Sequence, residues 1–367
     1  MEVLYETFLS LADQPKLLIM WAIGGLLIFL AIKKEMEPSL LLPMGFGAIL
    51  VNLPESGAAA VIEHLFEIGI NQHELFPLIL FIGIGAMIDF EPLLTNPKLM
   101  FFGAAAQFGI FFTLGMASLL GFAPNDSASI AIIGAADGPT AIFVAQMLKS
   151  NYLPAIMVAA YSYMALVPLV QPPIIKLCTT KAERKIKMAY KGKKVSKTTK
   201  ILFPIVVTII VGMIAPDSVA LIGFLMFGNL IRECGVPNSL SETAQNVLAN
   251  LITIFLGITI ASKMTANEFL QPQTLLIMGL GLVAFIFDTV GGVMLAKFMN
   301  LFTKKNKINP MIGAAGISAF PMSARVVHKM GLEEDNQNFL LMHSIGVNVS
   351  GQIASVIAGG LILAFYS

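Results

Sequence analysis

The chain has 367 residues, of which 56% are hydrophobic and only 12% are charged, and its formal net charge is +1. A soluble domain carries about twice that charged fraction, so the composition excludes an ordinary soluble protein and indicates a polytopic membrane protein. The near-neutral balance gives no indication of a nucleic-acid partner. The two cysteines, Cys178 and Cys234, lie far apart and predict neither a disulfide framework nor a metal cluster.

Apolar segments follow one another along nearly the whole chain. A membrane-spanning helix needs about 20 apolar residues, and several segments are shorter or are interrupted by Gly and Pro. We therefore expect an all-α membrane protein with about nine to twelve membrane segments, some of them re-entrant hairpins. The apolar segments cover 17–32, 39–53, 75–88, 99–123, 128–148, 152–178, 201–214, 219–231, 247–261, 274–299, 311–327 and 339–365.

One of these segments contains a carboxylate near its middle. Residues 133–140 read Ile-Gly-Ala-Ala-Asp-Gly-Pro-Thr, and the flanking stretches carry no charge. Because Pro139 removes a backbone donor, a helix must break beside Asp137. Broken backbone inside a membrane is tolerated only where it faces protein or a wet cavity, and an acid beside it is typical of a cation site. The alternative interpretation is a charge in a misassigned loop.

The same pattern returns in the second half of the chain. Residues 312–315 repeat the Ile-Gly-Ala-Ala of residues 133–136, and the run continues through small residues to Pro321. Together with two further dipeptides at a similar offset, roughly half the chain, this predicts an internal duplication. Paired interruptions of this kind point to a transporter's midplane site, so we expect two inverted repeats with broken helices or re-entrant hairpins. The dipeptide pairs are Gly83-Ile84 with Gly257-Ile258, and Asn52-Leu53 with Asn229-Leu230.

A strongly basic stretch separates the two proposed halves. Between Lys176 and Lys200 it carries a series of lysines and one arginine against the single acid Glu183. The positive-inside rule assigns such a loop to the cytoplasm, and it could also contact anionic headgroups or an acidic partner. We therefore divide the chain into a first membrane repeat, 1–178, a basic cytoplasmic linker, 179–200, and a second membrane repeat, 201–367.

The second interrupted segment and the last apolar segment carry further polar residues. Asn309 and Ser318 offer neutral oxygens that suit a hard cation such as sodium, and Gly313 lets backbone approach an ion or a facing hairpin. Arg325 is a candidate anchor for an anionic group or a partner for Asp137, and snorkelling to the interface is the alternative. Asn348 makes a third polar interruption.

Three other polar groups in apolar surroundings are further candidates. Tyr161 and Tyr163 could serve a proton path or simply pack. Asp288 lies deep in an apolar run and is a further candidate. The sequence has no nucleotide-binding or metalloprotease motif, so any driving force must come from a gradient or from a substrate delivered by a partner.

These segments resemble a known family. The run around Asp137, together with Asn309-Pro-x-Ile-Gly313-x-Ala-Gly-x-Ser318 and Arg325, is similar to the β subunit of sodium-pumping, biotin-dependent decarboxylases. That family includes the oxaloacetate, methylmalonyl-CoA, glutaconyl-CoA and malonate decarboxylase pumps. The resemblance runs over nearly the whole chain from Leu17 onward.

The resemblance implies a function and a set of partners. A soluble carboxyltransferase would load CO2 onto biotin on a carrier protein, and this subunit would decarboxylate the carboxybiotin while exporting sodium and taking up a proton from outside. It would work in the inner (plasma) membrane of a prokaryote as a multi-pass homo-oligomer, a trimer, with a small single-span γ subunit. The residues that the resemblance marks as catalytic are Asp137, Tyr163 and Arg325, and those that it marks for the ion are Asp137, Asn309, Gly313, Ser318 and Asn348, with Asp137, Asn309 and Ser318 as sodium ligands.

Two other functions remain open from the residues themselves. A sodium-coupled transporter of organic anions or a sodium/proton antiporter would share inverted repeats, broken helices and an intramembrane Asp. Such a carrier would work without a biotinylated partner. A membrane scaffold without transport activity would leave the buried charge unexplained.

Overall fold

The computed structural model describes residues 14–54, 57–72, 74–189, 194–214, 216–236, 238–303 and 307–366. These residues form helices and connecting loops, with no strand among them, so the prediction of an all-α fold is confirmed. Helices are the favoured solution in lipid because every backbone donor finds its acceptor within the same segment.

The first half contains ten helices within the described ranges. Several begin with Pro in the first turn, where the missing amide is not needed. In order they are α1 Pro15–Lys34, α2 Pro38–Val51, α3 Gly57–Phe66, α4 Leu75–Met87, α5 Glu91–Thr95, α6 Met100–Ala105, α7 Phe108–Leu119, α8 Pro124–Ala131, α9 Gly138–Met147 and α10 Leu153–Cys178.

The rest of the described chain contains nine more. A seven-residue 3₁₀ helix, Pro310–Gly316, precedes the last two. In order they are α11 Lys181–Arg184, α12 Lys197–Ile214, α13 Val219–Cys234, α14 Asn238–Glu242, α15 Ala249–Ile260, α16 Ala266–Phe269, α17 Pro272–Phe302, α18 Met322–Glu334 and α19 Leu341–Tyr366.

Seven helical stretches among the described residues are long and apolar enough to cross a membrane, or eight if the bent pair 57–71 and 75–87 is one span. The other apolar segments form shorter elements such as α2 and two broken hairpins, so the long spans are fewer than the segments counted in the sequence. The spans differ in how much of their length is buried. In the most apolar stretch of α19, 67% of the residues are buried, whereas in that of α12 only 11% are. Helix α19 is thus part of the core, and α12 presents its apolar side chains outward, as a lipid-facing helix does.

Two broken hairpins form the centre of the molecule. The first hairpin, residues 124–147, consists of α8, a 3₁₀ turn Ile132–Ala135, and α9. The second hairpin, residues 310–334, consists of the 3₁₀ helix Pro310–Gly316, an extended stretch and α18. Residues 126–145 of the first and 309–319 of the second are all buried.

The hairpins open at opposite ends of α10. Asp126, at the start of the first hairpin, accepts hydrogen bonds from the Ser150 hydroxyl (2.7 Å) and the Asn151 amide (2.9 Å), just before α10 begins. Glu334, at the end of the second hairpin, pairs with Arg184 at 2.6 Å, just after α10 ends. Since 26 helical residues span about 39 Å, the two open ends are separated by the length of a full span.

The predicted boundary at residue 178 coincides with the end of α10. The predicted linker, 179–200, includes the short helix α11 and the first residues of α12, which begins at Lys197. A duplication that relates the two halves stays a prediction.

Candidate functional site

Asp137 lies at the tip of the first hairpin and is 4% exposed. The chain reverses there because Ala136 adopts a left-handed conformation with φ of 52°. Asp137 is the N-cap of α9: one carboxylate oxygen accepts from the Thr140 amide at 3.3 Å, and the other accepts from the Thr140 hydroxyl at 2.8 Å. The Asp-Gly-Pro-Thr run therefore both breaks the helix and starts the next one.

Helix α19 provides a second partner for this carboxylate. The Ser355 hydroxyl donates to Oδ2 of Asp137 at 2.9 Å. Asn348, Gln352 and Ser355 follow one another at spacings of four and three, so they share one face of α19. That polar face is directed at the two hairpins.

The second hairpin meets the first through a backbone hydrogen bond. The Ser318 amide donates to the Ala135 carbonyl at 2.9 Å, which joins the extended stretch of one hairpin to the 3₁₀ turn of the other. The Ser318 hydroxyl donates to the Gly351 carbonyl at 2.9 Å, and the Gln352 amide group donates to the Ser318 carbonyl. Both hairpin tips are thus held against α19.

Asn348 lies on the same polar face and contacts the second hairpin. Its amide nitrogen donates to the carbonyls of Ala315 (3.1 Å) and Ile317 (2.7 Å). Its Oδ1, like Oε1 of Gln352, is buried and has no hydrogen-bond partner within the described chain. Spare carboxylate, amide and carbonyl oxygens around one acid are the ligands that hard monovalent cations use.

Gly313 lies where the second hairpin packs against α17. A Cβ on Gly292 would lie 2.0 Å from the Gly313 carbonyl oxygen, and a Cβ on Gly313 would lie equally close to the Gly292 carbonyl oxygen. The two backbones can approach this closely only because neither residue has a side chain.

Asn309 is placed at the open end of the second hairpin, where it binds the basic linker. Its Nδ2 donates to the carbonyls of Arg184 (2.8 Å) and Ile186 (2.9 Å), and its Oδ1 accepts from the Met311 amide at 3.1 Å. No hydrogen bond recorded for the described residues connects its side chain to Asp137.

Tyr163 and Arg325 also lie apart from the Asp137 hydrogen bonds. The Tyr163 hydroxyl donates to the Met278 carbonyl at 2.5 Å, across to α17. Arg325 is exposed on α18, and its charge acts on Glu37 between α1 and α2. Burial raises the pKa of Glu37, and a hydrogen bond from Ser39 and the charge of Arg325 oppose that rise.

Asp288 lies at a third break in the core. This fully buried residue of α17 accepts from the amides of Gly109 and, at 3.3 Å, Ile110, at the start of α7. Its Oδ2 has no hydrogen-bond partner in the part of the chain described. The carboxylate therefore satisfies the Gly109 amide that the break between α6 and α7 leaves free, while the Ile110 amide also donates to the Gln107 carbonyl at 3.2 Å.

Several buried polar residues at the hairpins were not singled out from the sequence. Gln171 of α10 donates to the Ala314 carbonyl at 2.7 Å. The Ser323 hydroxyl lies 3.1 Å from both Oε1 of Gln171 and that carbonyl and donates its proton to one or the other. Thr140 and Ser355 bind Asp137 itself. The helical spacing of Asn348, Gln352 and Ser355 within an apolar segment is the signal that could have identified part of this set.

The chain matches one protein family over nearly its full length. The family model is described as the Na⁺-transporting oxaloacetate decarboxylase beta subunit, and it matches residues 16–366. Among curated relatives, the oxaloacetate decarboxylase beta chain of Klebsiella pneumoniae is 45% identical, over 95% of this chain and 94% of the relative. The methylmalonyl-CoA decarboxylase beta subunits of Propionigenium modestum and Veillonella parvula are 48% and 49% identical, over 95% of this chain and 94% and 93% of the relatives.

Proposed function

This chain belongs to the family of Na⁺-transporting oxaloacetate decarboxylase beta subunits and is thus a decarboxylase subunit in a multi-pass membrane fold, and we propose that it decarboxylates carboxybiotin and couples that step to sodium export. A proton is taken up from outside in the same cycle. The observation that carries the proposal is the meeting of both hairpin tips at Asp137, with the Ser355 hydroxyl bound to its carboxylate.

The coupling of sodium movement to proton uptake follows from the ligands that one buried carboxylate can bind. A carboxylate in the membrane core is costly unless a cation or a proton neutralises it. Because either ligand lowers the affinity for the other, Asp137 can exchange sodium for a proton. Ser318, Asn348 and Gly313 would supply neutral oxygens, and Asn309 would hold the open end of the second hairpin against the linker.

The decarboxylation step needs a cation for the substrate and a proton for the product. The bond between the carboxyl carbon and the ureido nitrogen of biotin breaks, CO2 leaves, and the nitrogen keeps the electron pair and takes a proton. Arg325 is exposed on α18 and could orient the carboxylate of carboxybiotin through its guanidinium fork. The linker is held at the open end of this hairpin, so the positive-inside rule would make that end cytoplasmic, and carboxybiotin would reach Arg325, in the first turn of α18, from there.

Partners follow from the same proposal. Carboxybiotin would arrive on a biotin carrier protein loaded by a soluble carboxyltransferase, and the subunit would assemble as a trimer with a single-span γ subunit in the inner membrane of a prokaryote. The acid that is decarboxylated would be chosen by the carboxyltransferase. The relatives' names include both oxaloacetate and methylmalonyl-CoA decarboxylases.

The test is sodium transport by the purified complex in liposomes. We expect radioactive sodium to accumulate when substrate is added, and avidin, which sequesters biotin, to stop both the transport and the release of CO2. Sodium movement by this chain alone, insensitive to avidin, would instead support a sodium-coupled carrier or antiporter. Sodium-independent breakdown of free carboxybiotin would contradict the coupling.

A further inference from the structure

The hydroxyl of Tyr161 is buried and unsatisfied within the described part of the chain. The side chain is fully buried in α10, and its hydroxyl has no hydrogen-bond partner among the described residues. Buried tyrosines normally find a partner, since an unsatisfied buried hydroxyl destabilises the fold. Tyr163, two positions along, shows the ordinary case, with its hydroxyl bound to the Met278 carbonyl.

The orphan hydroxyl lies beside the tip of the first hairpin. A Cβ on Gly138, the residue after Asp137, would lie 2.5 Å from both Cε2 and Cζ of Tyr161. Because Cζ carries the hydroxyl, the polar end of the ring packs where α9 begins.

The carboxylate of Asp137 still has lone pairs that accept no hydrogen bond among the described residues. Two carboxylate oxygens offer about four lone-pair sites. The structure fills three: two from Thr140 and one from Ser355, and Oδ1 receives only the long bond of 3.3 Å from the Thr140 amide. The unsatisfied oxygen of the Tyr161 hydroxyl and the unused lone pairs of the carboxylate lie at one buried place, which indicates that a species bound by oxygens belongs between them.

We propose that Tyr161 is a further ligand of the Asp137 site, its hydroxyl oxygen completing the shell of the transported monovalent cation. This rests on the proposed function. A phenol supplies a hard, neutral oxygen, so it adds a ligand without adding a second negative charge to a site for a single positive charge. Without the cation, the same hydroxyl can turn its proton toward Asp137.

The test is Tyr161→Phe in the complete complex, with sodium binding measured by calorimetry in detergent and the sodium dependence of decarboxylation measured in parallel. We expect the sodium concentration for half-saturation to rise about tenfold, and the preference for sodium over lithium to change, because a shell that loses one oxygen selects ion size differently. We expect the thermal unfolding midpoint to stay or rise, because the variant removes an unsatisfied group.

Tyr152→Phe is the matched control. Tyr152 precedes α10 and packs edge-on against Phe122 at a ring distance of 5.4 Å, and its variant should leave sodium binding unchanged. Unchanged sodium affinity and selectivity in a folded Tyr161→Phe complex, while Asp137→Asn loses sodium binding, would overturn the role of Tyr161 alone. Normal sodium binding in Asp137→Asn as well would overturn the proposed function.

Discussion

Ser355 donates a hydrogen bond of 2.9 Å to Oδ2 of Asp137, although 218 positions separate the two residues in the chain. The bond connects the last helix to the tip of the first hairpin, while Gln352 and Ser318 connect that helix to the second hairpin. One face of α19 therefore holds both interrupted elements together, and the carboxylate lies where they join.

Replacing Asp137 by Asn tests whether its charge holds the cation. Asn is as good an N-cap as Asp, and its oxygen can still accept a hydrogen bond, so we expect a folded subunit that no longer transports sodium. We also expect saturating sodium to raise the thermal unfolding midpoint of the parent complex and not that of the variant, because ligand binding stabilises only a protein with the site.

The control for that change is Asp126→Asn in the same hairpin. Asp126 is buried too, but it accepts hydrogen bonds from Ser150 and Asn151 at the open end. Its variant should lose roughly 1–3 kcal/mol of stability and keep the stabilisation by sodium. Equal sodium stabilisation in both variants would contradict the site at Asp137.

The approach of α17 to the second hairpin predicts a contrast between two glycines of one helix. In Gly292→Ala the new Cβ would meet the Gly313 carbonyl oxygen at 2.0 Å, so we expect misassembly or a large loss of thermal stability and of activity. In Gly279→Ala the Cβ has no atom within 4 Å, and the helix should gain roughly 0.5–1 kcal/mol. Unfolding midpoints in detergent that fail to separate the two variants would show that this contact is not tight.

Asn309 should control how firmly the linker is held. Asn309→Ala removes two donors to the backbone at Arg184 and Ile186, and we expect faster tryptic cleavage within residues 179–200. Asn52→Ala is the control, since Asn52 also donates two hydrogen bonds to backbone carbonyls, those of Ala48 and Met264, and neither lies in the linker. The same cleavage rate in both variants would mean that other contacts hold the linker.

Glu91 should make part of the stability depend on pH. Its carboxylate accepts from Lys200 at 2.5 Å and from the Val195 amide at 3.2 Å, and the hydrogen bond from Lys200 is the main reason why the pKa of Glu91 is lowered. Since the folded pKa lies below the unfolded value, the stabilisation is complete above the unfolded pKa and is lost as pH falls through the folded one.

We therefore expect Glu91→Gln to be less stable than the parent at pH 7, by roughly 1 kcal/mol or less, and the difference to shrink on acidification below about pH 4. Thermal unfolding of both proteins across that pH range measures the effect. A difference that stays constant with pH would mean that the carboxylate's charge contributes nothing.

Asp288 should tolerate an amide and not an alkyl group. Asp288→Asn keeps an oxygen for the amides of Gly109 and Ile110. Asp288→Leu leaves the Gly109 amide unsatisfied in the core, while the Ile110 amide keeps its bond to the Gln107 carbonyl, so this variant should cost roughly 1–3 kcal/mol. Circular dichroism and unfolding midpoints compare the two. A stable Leu variant would show that water or another group satisfies the Gly109 amide.

The sequence was most informative where a residue type has the same structural effect in any surroundings. An acid followed by Gly-Pro in an apolar run predicted a break at Asp137, and the break is there. Composition predicted the all-α membrane fold, and the signature segments identified the family that the comparison confirms. These inferences need only local chemistry.

The residue types alone could not predict which side chains contact each other across the fold. Asn309 and Ser318 belong to one signature, yet Asn309 binds the linker and Ser318 binds the first hairpin and α19. Tyr161 and Tyr163 look equivalent in the sequence, but a turn of 100° per residue in a helix directs them to different neighbours. Such differences depend on which helices are adjacent, and one sequence does not contain that information.

The opposed openings of the hairpins have an electrical consequence. The open ends are a full span apart, yet the tips are joined by the hydrogen bond from the Ser318 amide to the Ala135 carbonyl. Where water follows the polar hairpins inward from each face, the dry barrier shrinks to the stretch around the tips, and the membrane voltage falls mainly across it. Under the proposed function, a cation that leaves the Asp137 site would cross most of the field in one short step, worth about 2.3 kcal/mol for each 100 mV.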